Sequence, residues 1–417
     1  MTTPTGVLER ELTALVGELW DPDQTLRAWW RRLADHGLTF PHWPERWGGR
    51  GWARDEIAVL ARVLTAVGAI GPPPGLGGLM GGPVVLALGN DEQRTRLLPP
   101  LRDGTEGWCQ LFSEPGAGSD LAGLTTRAER DGDEWVVTGQ KVWTSGAHDS
   151  DRGMLVARTD WDAPKHRGLG YFILPMDQPG VDLRPIKQMN GASHFFEVFL
   201  DGARVADADR IGEPGQGWAA TTATLSFERS GLSDALRVPG PRPNPGERPG
   251  DLDRTCAQLI AAHDESAATT TEAHAAQNLV DLARRRGRHT DAATRQHLAG
   301  LVARERIAEA GRLRMAAATA AGGTPGPEAS VAKLAWTESL RVAADVGPSI
   351  LGPAGALHGA DAGDGEDLVD FLLTMPSARI AGGSDEIQRN IIGERALGLH
   401  REPSPDRDLP FRDVPRS

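Results

Sequence analysis

The sequence is poor in cysteine. Cys109 and Cys256 are the only two in 417 residues. That excludes a disulfide framework and a four-thiolate zinc site, and no metal site is expected. Basic charge is also scarce: 45 Lys and Arg stand against 57 Asp and Glu, a formal net charge of −12. A phosphate-backbone binder needs a concentrated basic surface, so nucleic acid is not expected as a partner. Long apolar runs are missing too; none approaches the ~18 residues that span a bilayer, so no membrane partner is expected. The opening stretch, MTTPTGVLERELTALVGELW, carries acids where a secretory signal would carry basic residues and then a long apolar core. A cytoplasmic protein is the expectation. There is no visible repeat and no βαβ alternation, which disfavours a Rossmann nucleotide fold and any G-x-G-x-x-G reading.

What remains is ordinary globular composition, 39% hydrophobic and 24% charged. At about 150 residues per domain the length predicts two or three domains. Gly (51) and Pro (30) stay below the roughly 25–30% that marks low complexity, although proline is locally clustered. Residues 1–106 read as a helical domain. LERELTALVGELW, TLRAWWRRLADHGL and DEIAVLARVLTAVGAI space apolar residues by three and four. GPPPGLGGLMGGP reads as a break, and DEQRTRLLPPLRDG as a short helix ended by its prolines. Residues 107–217 read as a compact antiparallel β-domain. DEWVVTGQKVWTSG, GMLVARTD, GLGYFILPM and HFFEVFLDGARV are short β-branched and aromatic runs separated by Gly, Asp and Pro. Residues 218–400 turn helical again, with the long Ala-rich stretch suited to close packing in a bundle. Within them VPGPRPNPGERPGD (238–251) has five prolines, so it is neither helix nor central strand but an inserted loop. The tail 401–417 is Pro- and Arg-rich and is expected to be poorly ordered.

Four segments can carry chemistry. WCQLFSEPGAGSDLAGL (108–124) is a tight Gly/Pro turn in which Ser119 or Asp120 could cap a short helix. Exposed backbone N–H groups there would suit an anionic or carbonyl-rich ligand, although alone the loop is an ordinary glycine-rich turn. GQKVWTSGA (139–147) sets the flat face of Trp143 beside the hydroxyls of Thr144 and Ser145; a strand aromatic packed into the β-core is the plain alternative. ARIAGGSDEIQRNIIGERALGL (378–399) reads as a bundle helix with Ser384 as N-cap and Asp385 and Glu386 in its first turn. TLSFERSGL holds Glu228 and Arg229, a pair that by itself is commonly a solvated helix surface.

In this order and combination the segments resemble the acyl-CoA dehydrogenase family of flavoproteins. The likeness runs over most of residues 25–237 and again over 325–400; RVLTAVGAI, DEQRTRLLPPL, HRGLGYFIL and GEPGQGW fit the same family. The resemblance implies a mainly α, α+β fold: an N-terminal helical domain, a central antiparallel β-barrel-like domain and a C-terminal four-helix bundle, with FAD at their junction. It implies that Gln110, Phe112, Ser113, Trp143, Thr144, Ser145 and Ser384 hold the cofactor. It implies further that Gly118, Ser119 and Arg229 meet the acyl thioester. The reaction implied is α,β-dehydrogenation, with an electron-transfer flavoprotein or similar acceptor taking the electrons onward.

The family's base is commonly a Glu in the loop before the last helix, and alignment on EIQR places Gly382 there. Another branch carries it on the first helix after the β-domain, and that alignment selects Glu228. The family's adenine-side motifs are also missing. No Phe lies between Phe227 and Phe371, and SILGPAGALHG (349–359) replaces a Phe-Gly-Gly loop. Branches with such losses work as heterotetramers with a homologous subunit, so homo-oligomer and heterotetramer both stay open. Two other functions follow from the same residues: a non-catalytic partner subunit, and a same-fold flavin monooxygenase. The 238–251 insert is expected to be either a lid over the acyl pocket or a plain surface loop.

Overall fold

The structure is a computed structural model that describes residues 4–228, 236–267, 275–320, 326–401, 403 and 406–415. They fall into two compact units. The first lies within Met1–Lys187, Ser193–Glu265 and Ser404–Ser417, the second within Gln188–Ala192 and Ser266–Pro403.

The first unit opens with helices α1 (Pro4–Leu19), α2 (Leu26–Asp35) and α3 (Arg54–Ala66). Trp29, Trp30 and Leu33 of α2 are fully buried against α1 and α3. Both indoles also satisfy their polar edge: Trp29 Nε1 donates to Ile70 O at 2.8 Å and Trp30 Nε1 to Gly71 O at 2.9 Å. The acids at the start of α3 act as expected, with Glu56 accepting from the Ala53 N–H at 2.8 Å.

The expected break at 71–83 is helical in its second half. A π-type turn (Gly77–Gly81) runs into α4 (Gly82–Leu88). Propensity argues against a helix with four glycines, but packing demands them. A Cβ at Gly77, Gly78, Gly81 or Gly82 would collide with Leu101, Phe40, Trp108 or Trp43 respectively. The backbone takes the place of side chains against those rings. α5 (Asp91–Arg102) likewise continues through Pro99 and Pro100 rather than ending at them. Asn90 caps it in a reciprocal box with Gln93.

Seven strands follow: β1 (Trp108–Leu111), β2 (Arg127–Asp131), β3 (Glu134–Ser145), β4 (Arg152–Arg158), β5 (Leu169–Pro175), β6 (Val181–Ile186) and β7 (Phe195–Ala206). Their order is β1-β4-β2-β3-β7-β6, with β5 on β4. The ladders are antiparallel except where β4 lies parallel to β1 and, at one pair, to β2. β4 and β5 are buried almost throughout, so they read as continuous apolar runs. α6 (Gly217–Glu228) leaves the sheet across β5. Gly217 sits so close to the Leu169 carbonyl that a Cβ has no room.

The proline-rich stretch is without helix or strand, as its composition requires, but it is strapped down. Val238 is buried in the α1–α3 core, and Gly246 N donates to Gly104 O at 2.9 Å. Arg27 forks onto Glu247 at 2.6 and 2.8 Å and also reaches Asp253. The chain then returns beside α2, with Leu26 N on Arg254 O and Arg27 N on Leu252 O, and enters α7 (Cys256–Ala267).

The tail differs from expectation. Residues 406–415 dock on the β-domain instead of lying loose. Phe411 is buried beneath the Arg158 guanidinium, 3.5 Å from its ring centroid, and Phe411 N donates to Ala163 O. Burying one aromatic and stacking a cation on it offsets part of the entropy lost in ordering this strap.

The second unit contains α8 (Ala276–Arg285), α9 (Ala292–Ala320), α10 (Glu328–Leu351), α11 (Glu366–Ala378) and α12 (Asp385–Ile391). Its core joins Leu279 and Leu282 of α8, Leu298 and Leu301 of α9, Val346 and Ile350 of α10 and Leu368 of α11. Asp385 is nearly inaccessible and is shared by Thr337 at 2.8 Å and Arg379 at 2.6 Å.

Two glycines test the packing account in opposite directions. Gly82→Ala forces a methyl into the Trp43 ring and is expected to cost about 1–3 kcal/mol. Gly17→Ala, on α1 with open space around it, is expected to stabilise by about 0.4–1 kcal/mol. Thermal unfolding by circular dichroism checks the two signs.

Candidate active site

Two sequence-distant segments are sewn together in the first unit. Beyond β1 the chain makes a tight turn in which Glu114 and Ala117 exchange both backbone hydrogen bonds. Glu114 is buried there, and its carboxylate accepts from four donors. Oε2 takes Thr125 N at 2.7 Å and Thr125 Oγ1 at 3.0 Å; Oε1 takes Thr126 N at 2.8 Å and Lys141 Nζ at 2.9 Å. Lys141, fully buried in β3, also donates to Phe112 O at 3.0 Å. One residue on, Val142 N donates to Ser113 O at 2.9 Å. Burial alone would push the Glu114 carboxyl up. The Lys141 ammonium and the hydrogen bonds outweigh it and bring the carboxyl down to about 2.

At the bond to Ser113 the β3–β7 ladder slips, leaving Val142 and Trp143 outside the pairing. Trp143 is the sole non-glycine with positive φ among the described residues, at 62°. It is 59% exposed and meets Phe195 only edge-on at 6.0 Å. A core-packing strand aromatic is therefore excluded: the indole is presented outward at a local backbone cost of about 1–2 kcal/mol. Next to it Thr144 is buried, and its Oγ1 has no hydrogen-bond partner. Ser145 is exposed.

The other expected residues distribute as follows. Gln110 and Ser113 are half-buried at the start of the turn. Phe112 turns its ring into the core, edge-on to Tyr171 at 6.0 Å, which leaves no side-chain face for a ligand. Gly118 and Ser119 are exposed on the loop. Neither Ser119 nor Asp120 caps the short helix Leu121–Gly123, because the Asp120 carboxylate is taken by Lys165 at 2.8 Å. Ser384 belongs to the second unit, where it caps α12 by accepting from Ile387 N at 3.4 Å. Arg229 lies outside the described residues.

Glu228 closes the described span of α6, at the end of its third turn; only its backbone is described. The helix starts early because Gly217 lets it approach β5. Its threonines bond back four residues, Thr221 to Gly217 O and Thr224 to Ala220 O. The hydroxyls of Thr224 and Tyr171 are hydrogen-bonded at 3.1 Å, which fixes α6 to β5. The preceding residue, Phe227, lines an apolar cavity of about 360 Å³ whose other walls are Phe40, Leu76 and Leu79, and Val238 and Pro241 of the proline-rich stretch. In the second unit Gly382 and Gly383 both have positive φ, at 66° and 91°. Gln388 Nε2 clamps their carbonyls at 3.0 and 3.2 Å. A Glu at 382 would carry left-handed strain.

Sequence reasoning missed three structural residues of this site: Glu114, Lys141 and Tyr171. A Lys in the middle of a strand otherwise read as half-buried was the available signal.

The described residues contain no group of three His, Cys, Asp or Glu able to hold a metal. None of the helices in the described residues is long and apolar enough to cross a membrane. What the site offers is an outward aromatic face, an unpartnered hydroxyl beside it and a tight turn of half-buried polar groups. That donor set fits a flat, apolar ring with a polar edge.

The class so defined is a flavin-type redox fold, and comparison gives it a family. Models of the acyl-CoA dehydrogenase N-terminal, middle and C-terminal domains match residues 3–105, 109–202 and 266–397. The chain is 40% identical over 380 residues to acyl-CoA dehydrogenase IpdE1 of Mycobacterium tuberculosis, covering 90% of this chain and 88% of that one. Among solved structures it is similar to the Tcur3481-Tcur3483 steroid ACAD. The TM-score is 0.70 and the identity 28%, over 95% of this chain and 98% of that one. It is also similar to the ChsE4-ChsE5 complex from Mycobacterium tuberculosis, with TM-score 0.65 and 27% identity over 96% and 99%. The chain belongs to the acyl-CoA dehydrogenase family and is an oxidoreductase of that type.

Lys141→Met strands a buried carboxylate and is expected to cost about 3–5 kcal/mol; adding Glu114→Gln recovers part of it. Because the Glu114 carboxyl is held at about 2, below its ordinary 4.5, its stabilisation is complete above pH 4.5 and drains away as pH falls toward 2. Acid unfolding curves of the wild type and the double variant, which lacks that slope, check the window.

Proposed function

We propose that this chain catalyses the FAD-dependent α,β-dehydrogenation of an acyl-CoA or carrier-bound acyl thioester, with Glu228 removing the α-proton. The observation that carries the reading is the junction on α6: Glu228 directly follows a wall residue of the apolar cavity, on a helix pinned to the sheet. The loop that holds the base in other family members has a left-handed glycine at 382 instead.

Bound FAD supplies the acceptor for the β-hydrogen, which leaves as hydride. Everything else falls to the protein. Trp143 offers its face to the ring, and Thr144, Ser145, Gln110 and Ser113 offer hydrogen bonds to its polar edge. Gly118, Ser119 and Arg229 meet the thioester. The α-proton is a weak acid, so donors must polarise the thioester carbonyl as negative charge develops there. Glu228 accepts the proton on a carboxylate oxygen, and exclusion of water by the bound acyl group raises its basicity. The same reading divides the chain at 106/107 and 217/218, assigns electron transfer onward to an electron-transfer flavoprotein or similar acceptor, and places the protein in the cytoplasm.

A heterotetramer with a homologous subunit is favoured over a homo-oligomer. The adenine-side motifs are absent from this chain, and a similar solved protein is itself a two-protein complex. In the second reading this chain only completes a partner's flavin site. The relatives described as steroid ACADs favour a bulky ring-containing acyl group.

Glu228→Gln is expected to keep FAD bound yet lose thioester-driven bleaching of the flavin absorbance by about 10²–10⁴ in rate. Full bleaching in that variant removes Glu228 from the mechanism. An absorption spectrum and native mass of the chain expressed alone, then with a homologous subunit, separate the two assemblies. Stoichiometric FAD and turnover in the chain alone eliminate the partner-only reading.

A further inference from the structure

The cavity beside Phe227 has an unusual wall. Among the described residues that line it, six are prolines: Pro72, Pro73 and Pro74 before the glycine-rich helix, Pro83 within α4, and Pro241 and Pro243 from the inserted stretch. Proline fixes its own φ and has no N–H, so such a wall neither adapts its shape nor donates backbone hydrogen bonds. The wall is also anchored from behind. The indoles of Trp29 and Trp30 hold the carbonyls of Ile70 and Gly71 just ahead of the triple proline. On the other side, the Val238 side chain presses where a Cβ on Gly71 would stand, and Gly246 is bonded to Gly104. The Arg27 fork on Glu247 adds a charged clasp. Swinging this stretch open would break all of these contacts together, so it is a fixed wall and not a lid.

The polar content of the cavity is small and uneven. Arg237 and Arg242 are exposed, and Thr39 is wholly out of reach of water. His42 is half-buried and stands edge-on to the stacked rings of Phe40 and Trp43, 6.4 Å from each. Burial alone lowers its imidazole to about 4, with no hydrogen bond or charge contributing. At neutral pH it is therefore uncharged and carries one N–H donor and one lone pair. An uncharged, unengaged imidazole in an apolar pocket has a hydrogen bond to give to whatever fills the pocket.

We infer that this proline-walled cavity selects rigid, ring-containing acyl groups over flexible chains of equal carbon number, and that His42 hydrogen-bonds an oxygen substituent on that ring. The inference rests on the acyl-thioester reading above for its substrate and goes beyond it in tying the shape preference to this wall and in naming the recognising residue. A volume of about 360 Å³ is at the small end of ligand pockets. Filling it with a flexible chain costs rotor freedom that the unyielding wall does not return; a fused ring has already lost that freedom.

The test is calorimetric titration of the flavin-loaded protein with trans-2-decalone and with 2-decanone, which share ten carbons and a ketone but differ in rigidity. The decalone is expected to bind at least about tenfold more tightly. His42→Phe keeps ring and volume and is expected to weaken decalone binding about three- to tenfold, while His42→Gln, which keeps a donor and an acceptor, stays within about threefold of wild type. Pro241→Gly with Pro243→Gly loosens the wall and is expected to bring the two ketones within about twofold. Unchanged thermal midpoints exclude misfolding of the variants. Equal affinity for the two ketones, no binding of either, or an unaltered decalone affinity in His42→Phe overturns the inference. Neither ketone is a thioester. Selective decalone binding by a protein whose flavin no thioester bleaches would defeat the dehydrogenation reading and leave the pocket assignment supported.

Discussion

The buried pair of Glu114 and Lys141 is the constraint on which the site depends. Removing two charges from water costs several kcal/mol per ion, and attraction alone rarely repays it. Here the remaining valences are filled as well: four donors converge on the carboxylate, and the ammonium also bonds the Phe112 carbonyl. The pair earns its place because three stretches of backbone, 112–114, 125–126 and 141–142, meet with no regular ladder between them. The turn at 114–117 and the slip in β3 both remove strand pairing at that point. Charge-assisted bonds replace the missing backbone bonds, and they fix where Ser113 stands relative to Trp143 and Thr144.

A second constraint is close approach. The glycine-rich helix at 77–82 lets aromatic rings press directly on its backbone. Phe40 and Trp43 are among those rings, and the same stacked pair meets His42 edge-on. The tryptophans of α2 reach past it to the carbonyls that begin the triple proline. Core packing in the helical half of the unit and shape of the cavity are therefore one problem. A change that loosens the glycine helix also loosens the wall that faces Phe227.

The residues that carried periodicity were legible. The amphipathic spacing of TLRAWWRRLAD marked α2, and short β-branched and aromatic runs marked β3, β4, β5 and β7. What escaped was decided by contacts distant in sequence. GLGGLMGGP reads as a break because intrinsic propensity knows nothing of the Trp and Phe rings that occupy the missing side-chain positions. The tail reads as loose because the burial of Phe411 under Arg158 joins residues about 250 apart. β1, β2 and β6 are four to six residues long, too short to show a period. At the candidate site, the motifs around Ser113 and Trp143 were legible as segments. Their juxtaposition through Lys141 was not, since a lone strand lysine ordinarily points to water.

The proposed placement of the base at Glu228 rests on backbone geometry. A carboxylate at 382 would require a Glu in the left-handed region, within a glycine pair whose carbonyls Gln388 already holds. That loop is built for a tight turn into α12 and has no use for a side chain. α6 has the opposite character. Its helix propensity is poor, with three threonines and a serine among twelve residues, and it stands because Gly217 and Thr224 seat it on β5. A helix held by tertiary contacts along its first two turns delivers its final turn to a fixed place, and that turn ends in Phe227 against the cavity and then Glu228. On the proposed reading, moving the base from the loop to this helix exchanges a strained position for a seated one, and it sets Glu228 next in sequence to Phe227, a wall residue of the cavity.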